Sequence, residues 1–436
     1  MEENLVSVLE GGHTLTTQSR GRHLVILKSW ERDNIAYESI DFSRLWSLTV
    51  FGKWEPFFIS ESMKLLRVLD LEDASDVRDA DLDKMVKLLH HLKFLSLRGC
   101  REICHLPSSL GDLRNLQTLD VRGTSIVTLP ISTTKLKKLQ YIRAGGTTVV
   151  QASMPSPIVS SYNCFPHFFC SRRRHLAGVM VPRGIEKLEA LQTLGVINIS
   201  ASAGGAAFLK DPKKLIHLRK LGVSGINKHN SKEFFSVMSA LGQLESLSVW
   251  LDENSQACLD VNFLYQAHLC SLKLYGLQEK LPASIEYLGK LRKLDLEMGN
   301  LNRRDIELLA QLPELCVLRL RVKQQLQDDK LHFYDEMYGE ELVTFKKVKI
   351  LEIACSSSEL QVTFGSRSMN NLELLTIDYS SSTSYKLAGL NSLSELKQVL
   401  LKGTDDEAFR AEFASHLASH PMQPVVKLEE QLLRSS

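Results

Sequence analysis

The sequence has no apolar run approaching the roughly 18 residues that a membrane-spanning helix needs. Its opening, Met1 to Glu10, lacks the basic start and long apolar stretch of a secretory leader. A soluble, unsecreted, cytoplasmic chain is the expectation that follows. Charge of one sign is also missing: 53 basic residues face 51 acidic ones, and the net charge of +2 argues for neither nucleic acid nor an anionic membrane as a partner. The eight cysteines lack the dense spacing of a disulfide framework and suit a reducing compartment. No Gly-x-x-x-x-Gly-Lys-Ser/Thr loop, Gly-x-Ser-x-Gly elbow, His-Glu-x-x-His helix or Cys-x-x-Cys pair occurs, and the 13 histidines have no carboxylate at a readable spacing. Enzymatic activity, a cofactor and a metal therefore find no support in the residues.

What is present is repetition. In the stretch from Leu92 to Pro130, Leu92-x-x-Leu95-x-Leu97-Arg98-Gly99 recurs as Leu116-x-x-Leu119-x-Val121-Arg122-Gly123, a shift of 24 residues. Leu106-Pro107 recurs as Leu129-Pro130 after 23. Such units are leucine-rich repeats, each giving one short parallel strand and a return segment. A single unit has nothing to bury its leucines against, so stability comes from stacking neighbours. The phrase begins at Leu45, Leu66, Leu92, Leu116, Leu139, Leu191, Leu218, Leu244, Leu269, Leu291, Leu315, Val348, Leu372 and Leu396, giving 14 units. The fold class expected is an α/β leucine-rich-repeat solenoid, a horseshoe with a parallel sheet on its concave face and an irregular convex side.

Domain organisation follows from the spacing. Residues 1–44 read as an N-terminal cap with one strand at Arg22 to Leu27, because an open parallel edge invites aggregation. Repeats fill 45–146 and 188–404. Between them, 147–187 reads as a loop insertion without the leucine pattern, carrying Pro155, Pro157 and a cluster of aromatics, and open to disorder. Cys164, His167, Cys170 and His175 lie close together there but match no zinc spacing, and Arg172 to Arg174 read as a solvated loop. The long step from Leu315 to Val348 is expected to bulge outward. In 405–436, Thr404 to Glu407 has a capping-box pattern, followed by Phe409, Phe413 and Leu417 at helical spacing, so a capping helix and a tail are expected.

Strand side chains alternate, so the residues between the leucines point outward. About 14 strands at roughly 4.8 Å spacing give an inner arc of about 65 Å, a size suited to a protein partner. In one outward column Lys273, Asp295, Arg319 and Glu352 alternate in sign, as a cross-strand charge ladder would. Toward the N-terminus, Arg98 and Arg122 share a column, Arg143 lies diagonally beside Arg122, and Phe94 and Tyr141 occupy a neighbouring column. Arginine and aromatic residues dominate interface hot spots, so these five form the expected partner-binding patch. The alternative is a solvated arginine face held by Asp120. Trp250 beside Tyr275 forms a second candidate contact, or a pair packed under a neighbouring loop.

SRLWSLTVFGKW from Ser43, LLRVLDLEDASDVRDADL from Leu65 and VPRGIEKLEALQTLGVINIS from Val181, together with the repeats from Leu92, resemble the repeat domain of plant intracellular nucleotide-binding, leucine-rich-repeat disease-resistance receptors of the coiled-coil class. The resemblance implies a module that senses pathogen effectors or host proteins and autoinhibits a nucleotide switch placed before it. Neither the phosphate loop nor the Met-His-Asp motif of that switch is in this sequence, so a nucleotide-binding module in cis is expected only if the chain is a fragment. A constitutive signalling scaffold and an enzyme-binding regulator are the other functions the repeats permit.

Overall fold

A computed structural model describes residues 6–9, 22–27, 37, 41–147, 176–200, 203–210, 214–251, 268–278, 280–323, 330–333, 337–338, 341–342, 344–355, 359–378, 384–403, 413, 417–418 and 420–430. Two compact units divide the chain, one from 1–150 with 174–226, the other built on 227–436.

The first unit is a parallel ladder. Its strands are β1 (Val6–Leu9), β2 (His23–Ile26), β3 (Ser47–Val50), β4 (Val68–Asp70), β5 (Phe94–Ser96), β6 (Thr118–Asp120) and β7 (Tyr141–Arg143). After the short β8 (Gly146–Thr147) and β9 (Leu176–Ala177), β10 (Thr193–Asn198) and β11 (Lys220–Ile226) continue it. Each strand pairs with the next in the repeat, in register at the leucines: Leu48 with Leu69, Leu69 with Leu95, Leu95 with Leu119, Leu119 with Ile142. Those leucines have no measurable exposure, because each is stacked between its equivalents one repeat away. The expected strand near Arg22 forms as β2, yet it extends the ladder and is itself flanked by β1. Most of 1–44 lies outside the described residues.

Each Leu-Pro step ends extended structure, since proline has no N–H for a ladder. Pro107 and Pro130 hold φ at −67° and start the 3-10 turns Ser108–Asp112 and Ile131–Lys135. Helix α1 (Asp79–Leu88) takes the place of such a turn in one repeat, burying Leu82, Met85 and Val86, and α2 (Ala203–Lys210) does so in another. At the insertion, β8 and β9 pair antiparallel and bring the two ends of the segment together. Beyond them Val179 bridges Ile197, and Met180 bridges Thr128. Residues 148–175, with the Cys/His group and the arginine triplet, lie outside the described residues.

In the second unit, α3 (Ser231–Ala240) precedes β12 (Ser246–Leu251), β13 (Ser271–Leu277) and β14 (Lys293–Met298), and α4 (Arg303–Ala310) precedes β15 (Val317–Val322). Then come β16 (Lys330–Phe333), β17 (Met337–Tyr338), β18 (Glu341–Leu342), β19 (Ile350–Cys355), β20 (Glu359–Phe364), β21 (Leu374–Asp378), β22 (Ser384–Ala388), β23 (Gln398–Gly403) and β24 (Val425–Glu430). The ladder runs β12, β13, β14, β15, β19, β21, β23, β24, all parallel. Every one of the 14 leucine phrases thus supplies a ladder strand, across the two units.

Three features depart from the sequence reading. The step from Leu315 to Val348 does more than bulge: within it β16 forms and joins β20 and β22 in a separate parallel sheet, held by Phe333 stacked on Phe364 at 5.3 Å and set edge-on to Phe345. Residues 405–436 carry a further ladder strand, β24. Of the expected capping helix, Phe413 and Leu417 are described, both helical and buried, while Thr404 to Glu407 lie outside the described residues. The charge ladder forms only in part, for reasons given below.

Candidate interaction face

The register places the expected residues of the first unit side by side. Phe94 pairs with Thr118 and Thr118 with Tyr141, so the two aromatics flank a threonine in one outward column. Ser96, Asp120 and Arg143 are in line in the next. Arg98 and Arg122 follow their strands by two residues, at equivalent places.

The arginines are not left without counter-charge. Asp120 is only 2% exposed although its strand position is outward, because Arg122 and Arg143 fold over it. Arg122 grips it in a fork: Nε donates to Oδ1 at 2.9 Å and Nη2 to Oδ2 at 2.6 Å. Arg143 Nη1 stands 3.6 Å from the same Oδ2. Arg98 Nη1 donates to Glu72 Oε1 at 2.6 Å. Donating to the Asp120 carboxylate pushes the Arg122 guanidinium further up from its already high value. Glu72 and Asp120 thus fix all three guanidiniums, and each still turns part of its surface to water. Tyr141 is fixed as well, its hydroxyl donating to Gln192 Oε1 at 3.0 Å.

A neighbouring stack escaped the sequence reading. The guanidiniums of Arg22 and Arg67 lie 4.4 and 4.6 Å from the centre of the Trp46 indole. Cations are attracted to an aromatic face, most strongly to tryptophan. The residue after the first leucine of each phrase, which gives Trp46 and Arg67, carries the signal; only the later columns were read.

In the second unit, Trp250 and Tyr275 are register partners with ring centroids 5.3 Å apart. On the next two strands, beside Tyr275, lies a buried ion pair between Asp295 and Arg321, 6% and 7% exposed. The Tyr275 hydroxyl donates to Asp295 Oδ2 at 2.9 Å, and the Arg321 guanidinium sits 5.9 Å from the Tyr275 ring centre. Burial, with the Asp295 charge adding to it, drives the Tyr275 phenol well above its ordinary range, so it stays a donor. The indole N–H of Trp250 is buried with no acceptor. Residues 252–267, which follow Trp250 and Leu251, lie outside the described residues.

This pairing explains the broken ladder. Lys273, Asp295, Arg319 and Glu352 are in register, as read. Arg319 Nε meets Glu352 Oε2 at 2.9 Å. Asp295, however, turns to Arg321 on the diagonal, where it gains the phenol as a second donor in a water-poor site. Among the described residues Lys273 has no ion-pair partner.

Among the described residues no group of three or more His, Cys, Asp or Glu side chains could hold a metal ion, and no helix is long and apolar enough to cross a membrane.

A family profile for the leucine-rich repeat region matches residues 44–160 and 171–426. The disease resistance protein Pik-2 of Oryza sativa subsp. japonica is 27% identical over 437 residues, covering 93% of this chain and 41% of its own length. A disease resistance protein RGA4 of the same species is 25% identical over 406 residues, covering 90% of this chain and 36% of its own. The chain thus spans about two fifths of the length of these relatives. Among solved structures, a leucine-rich-repeat protein of Leptospira interrogans superposes with a TM-score of 0.51 at 16% identity, covering 94% of this chain and 97% of that one, a likeness of fold alone. The chain belongs to the leucine-rich-repeat family, and its sequence relatives are plant disease-resistance proteins.

Proposed function

We propose that this chain is a non-catalytic, cytoplasmic recognition module of plant innate immunity, sensing a pathogen effector or a host protein through the outward face of its strand ladders. The observation that carries the reading is the fixing of arginine and aromatic side chains on that face by buried carboxylates: Arg122 and Arg143 on Asp120, Tyr275 and Arg321 on Asp295. Arginine and aromatic residues supply most hot-spot energy, and side chains already held in place lose less entropy on binding. Phe94, Arg98, Arg122, Tyr141, Arg143, Trp250 and Tyr275 are the residues proposed to meet the partner. Autoinhibition of a nucleotide-binding module in cis belongs to the same proposal and rests on the relatives, of which this chain matches about two fifths.

The test compares two sets of variants for capture of a cognate effector co-expressed in leaf tissue. Arg98→Glu with Arg122→Glu alters the strand face; Lys232→Glu with Lys84→Glu alters helices on the return side. Loss of capture in the first set alone, with both sets folded, supports the reading. Loss in the second set alone contradicts it.

A further inference from the structure

The outward face of the second unit has an unusual composition in one place. Lys293, Val317, Ile350 and Leu374 are successive register partners in a single outward column, ending at Gln398. Val317, Ile350 and Leu374 are all part-exposed, on a face where a solvated ladder would carry polar side chains. Lys273 lies on the strand before Lys293, one column over.

Charge on this face is lopsided once internal pairing is taken into account. The carboxylates on β14 and β19 are Asp295, Glu297 and Glu352, and each already has a cation: Arg321, Lys323 and Arg319 respectively. Lys402 approaches Glu352 as well, at 3.7 Å. Among the described residues Lys273 and Lys293 have no such partner. The unmatched charges are therefore all positive, and they stand at one end of the apolar column.

From this juxtaposition we infer that the β13–β21 face binds a protein segment that is acidic at one end and apolar at the other. The segment lies across the strands, with Asp or Glu carboxylates at Lys273 and Lys293 and aliphatic side chains on Val317, Ile350 and Leu374. The four strand steps from Lys273 to Leu374 span about 19 Å, the length of about six extended residues or about thirteen helical ones. Such a segment supplies the missing negative charge and covers the apolar column at once, which a nucleic acid or a purely acidic tail does not. This inference rests on the recognition reading above and adds the chemistry of the partner.

A random dodecapeptide library displayed on phage and selected on the full chain tests it. Enriched peptides should combine Asp or Glu with aliphatic residues, and synthetic copies should bind about tenfold or more weakly to Lys273→Gln/Lys293→Gln, a loss expected to grow with salt removed. Ile350→Ser should weaken the same peptides, while the melting profile of each variant confirms folding. Enrichment of peptides without acidic residues, or unchanged binding to the lysine variant, overturns the inference. So does an unstructured oligothymidylate that binds as tightly as the peptides and is lost in the same variant, since the lysines would then be a general polyanion contact. Peptides lost in Arg98→Glu/Arg122→Glu but kept by the lysine variant contradict this inference and leave the recognition reading intact. Peptides indifferent to both sets contradict the two together.

Discussion

Asp120 and Asp295 occupy the same position of the repeat, the middle outward residue of the strand, and each is nearly buried beneath guanidiniums, Arg122 of its own repeat and Arg143 of the next over Asp120, Arg321 of the next over Asp295. Removing one member of a buried pair strands the other, and the penalty exceeds the net worth of the pair. Arg321→Met should therefore destabilise the chain by about 3 kcal/mol in urea unfolding, since both partners are buried. Asp120→Ala should cost less, about 1–2 kcal/mol, because Arg122 and Arg143 remain half in water and are screened there. Leu119, fully buried in the ladder core, should cost about 2–5 kcal/mol as alanine. Alternation alone made all of these strand positions legible. It could not show that Asp120 and Asp295 are buried, because their cover comes from long side chains that bend over them, Arg122 from just past the strand and Arg143 and Arg321 from the neighbouring repeat. Sequence spacing gives the column a residue stands in and says nothing of how a guanidinium will bend.

At the scale of the element, one leucine phrase yields one ladder strand without exception, because a stacked leucine has no other place to be buried. Strands without the phrase were harder to read. β16 alternates Leu331 and Phe333 inward, but its partners β20 and β22 lie in different return segments, and nothing local announces that they will meet. The bulge at Gly276 was likewise silent. The register between β13 and β14 shifts between Leu274 and Leu277, and Gly276 sits there with φ at +86°. A Cβ at this position would run into the Leu251 carbonyl oxygen. Gly276→Ala should cost at least about 1–2 kcal/mol from the positive φ alone, and should also loosen Tyr275 from Asp295. Thermal unfolding checks the first effect, and the near-ultraviolet signal of Tyr275 and Trp250 the second. On the edge of the ladder, Lys349 and Lys397 both hold Glu373, at 2.8 and 3.0 Å, and lower its carboxyl below the usual range. A depressed carboxylate stabilises the fold at neutral pH, and the contribution fades as pH falls through the lowered value. A carbon-detected titration of Glu373 should thus have a midpoint below that of the unfolded chain.

Across the molecule, repetition accounts for the fold, and the proposed sites lie where the pattern is broken. In the first unit the break is a set of arginines held by Asp120 and Glu72; in the second it is an aromatic pair beside a buried ion pair, next to an apolar column with two lysines that have no ion-pair partner among the described residues. The partner was not legible in the sequence, since recognition depends on which outward side chains remain available after neighbours have paired. We propose that the outward face of the ladders is the recognition surface. Hydrogen exchange of the chain, free and bound to a cognate effector, tests it most directly. Slowed exchange is expected in the ladder strands and the turns just after them, around Arg98, Arg122 and Tyr275. Protection confined to the helices and 3-10 turns of the return segments, with the strands unchanged, would contradict it.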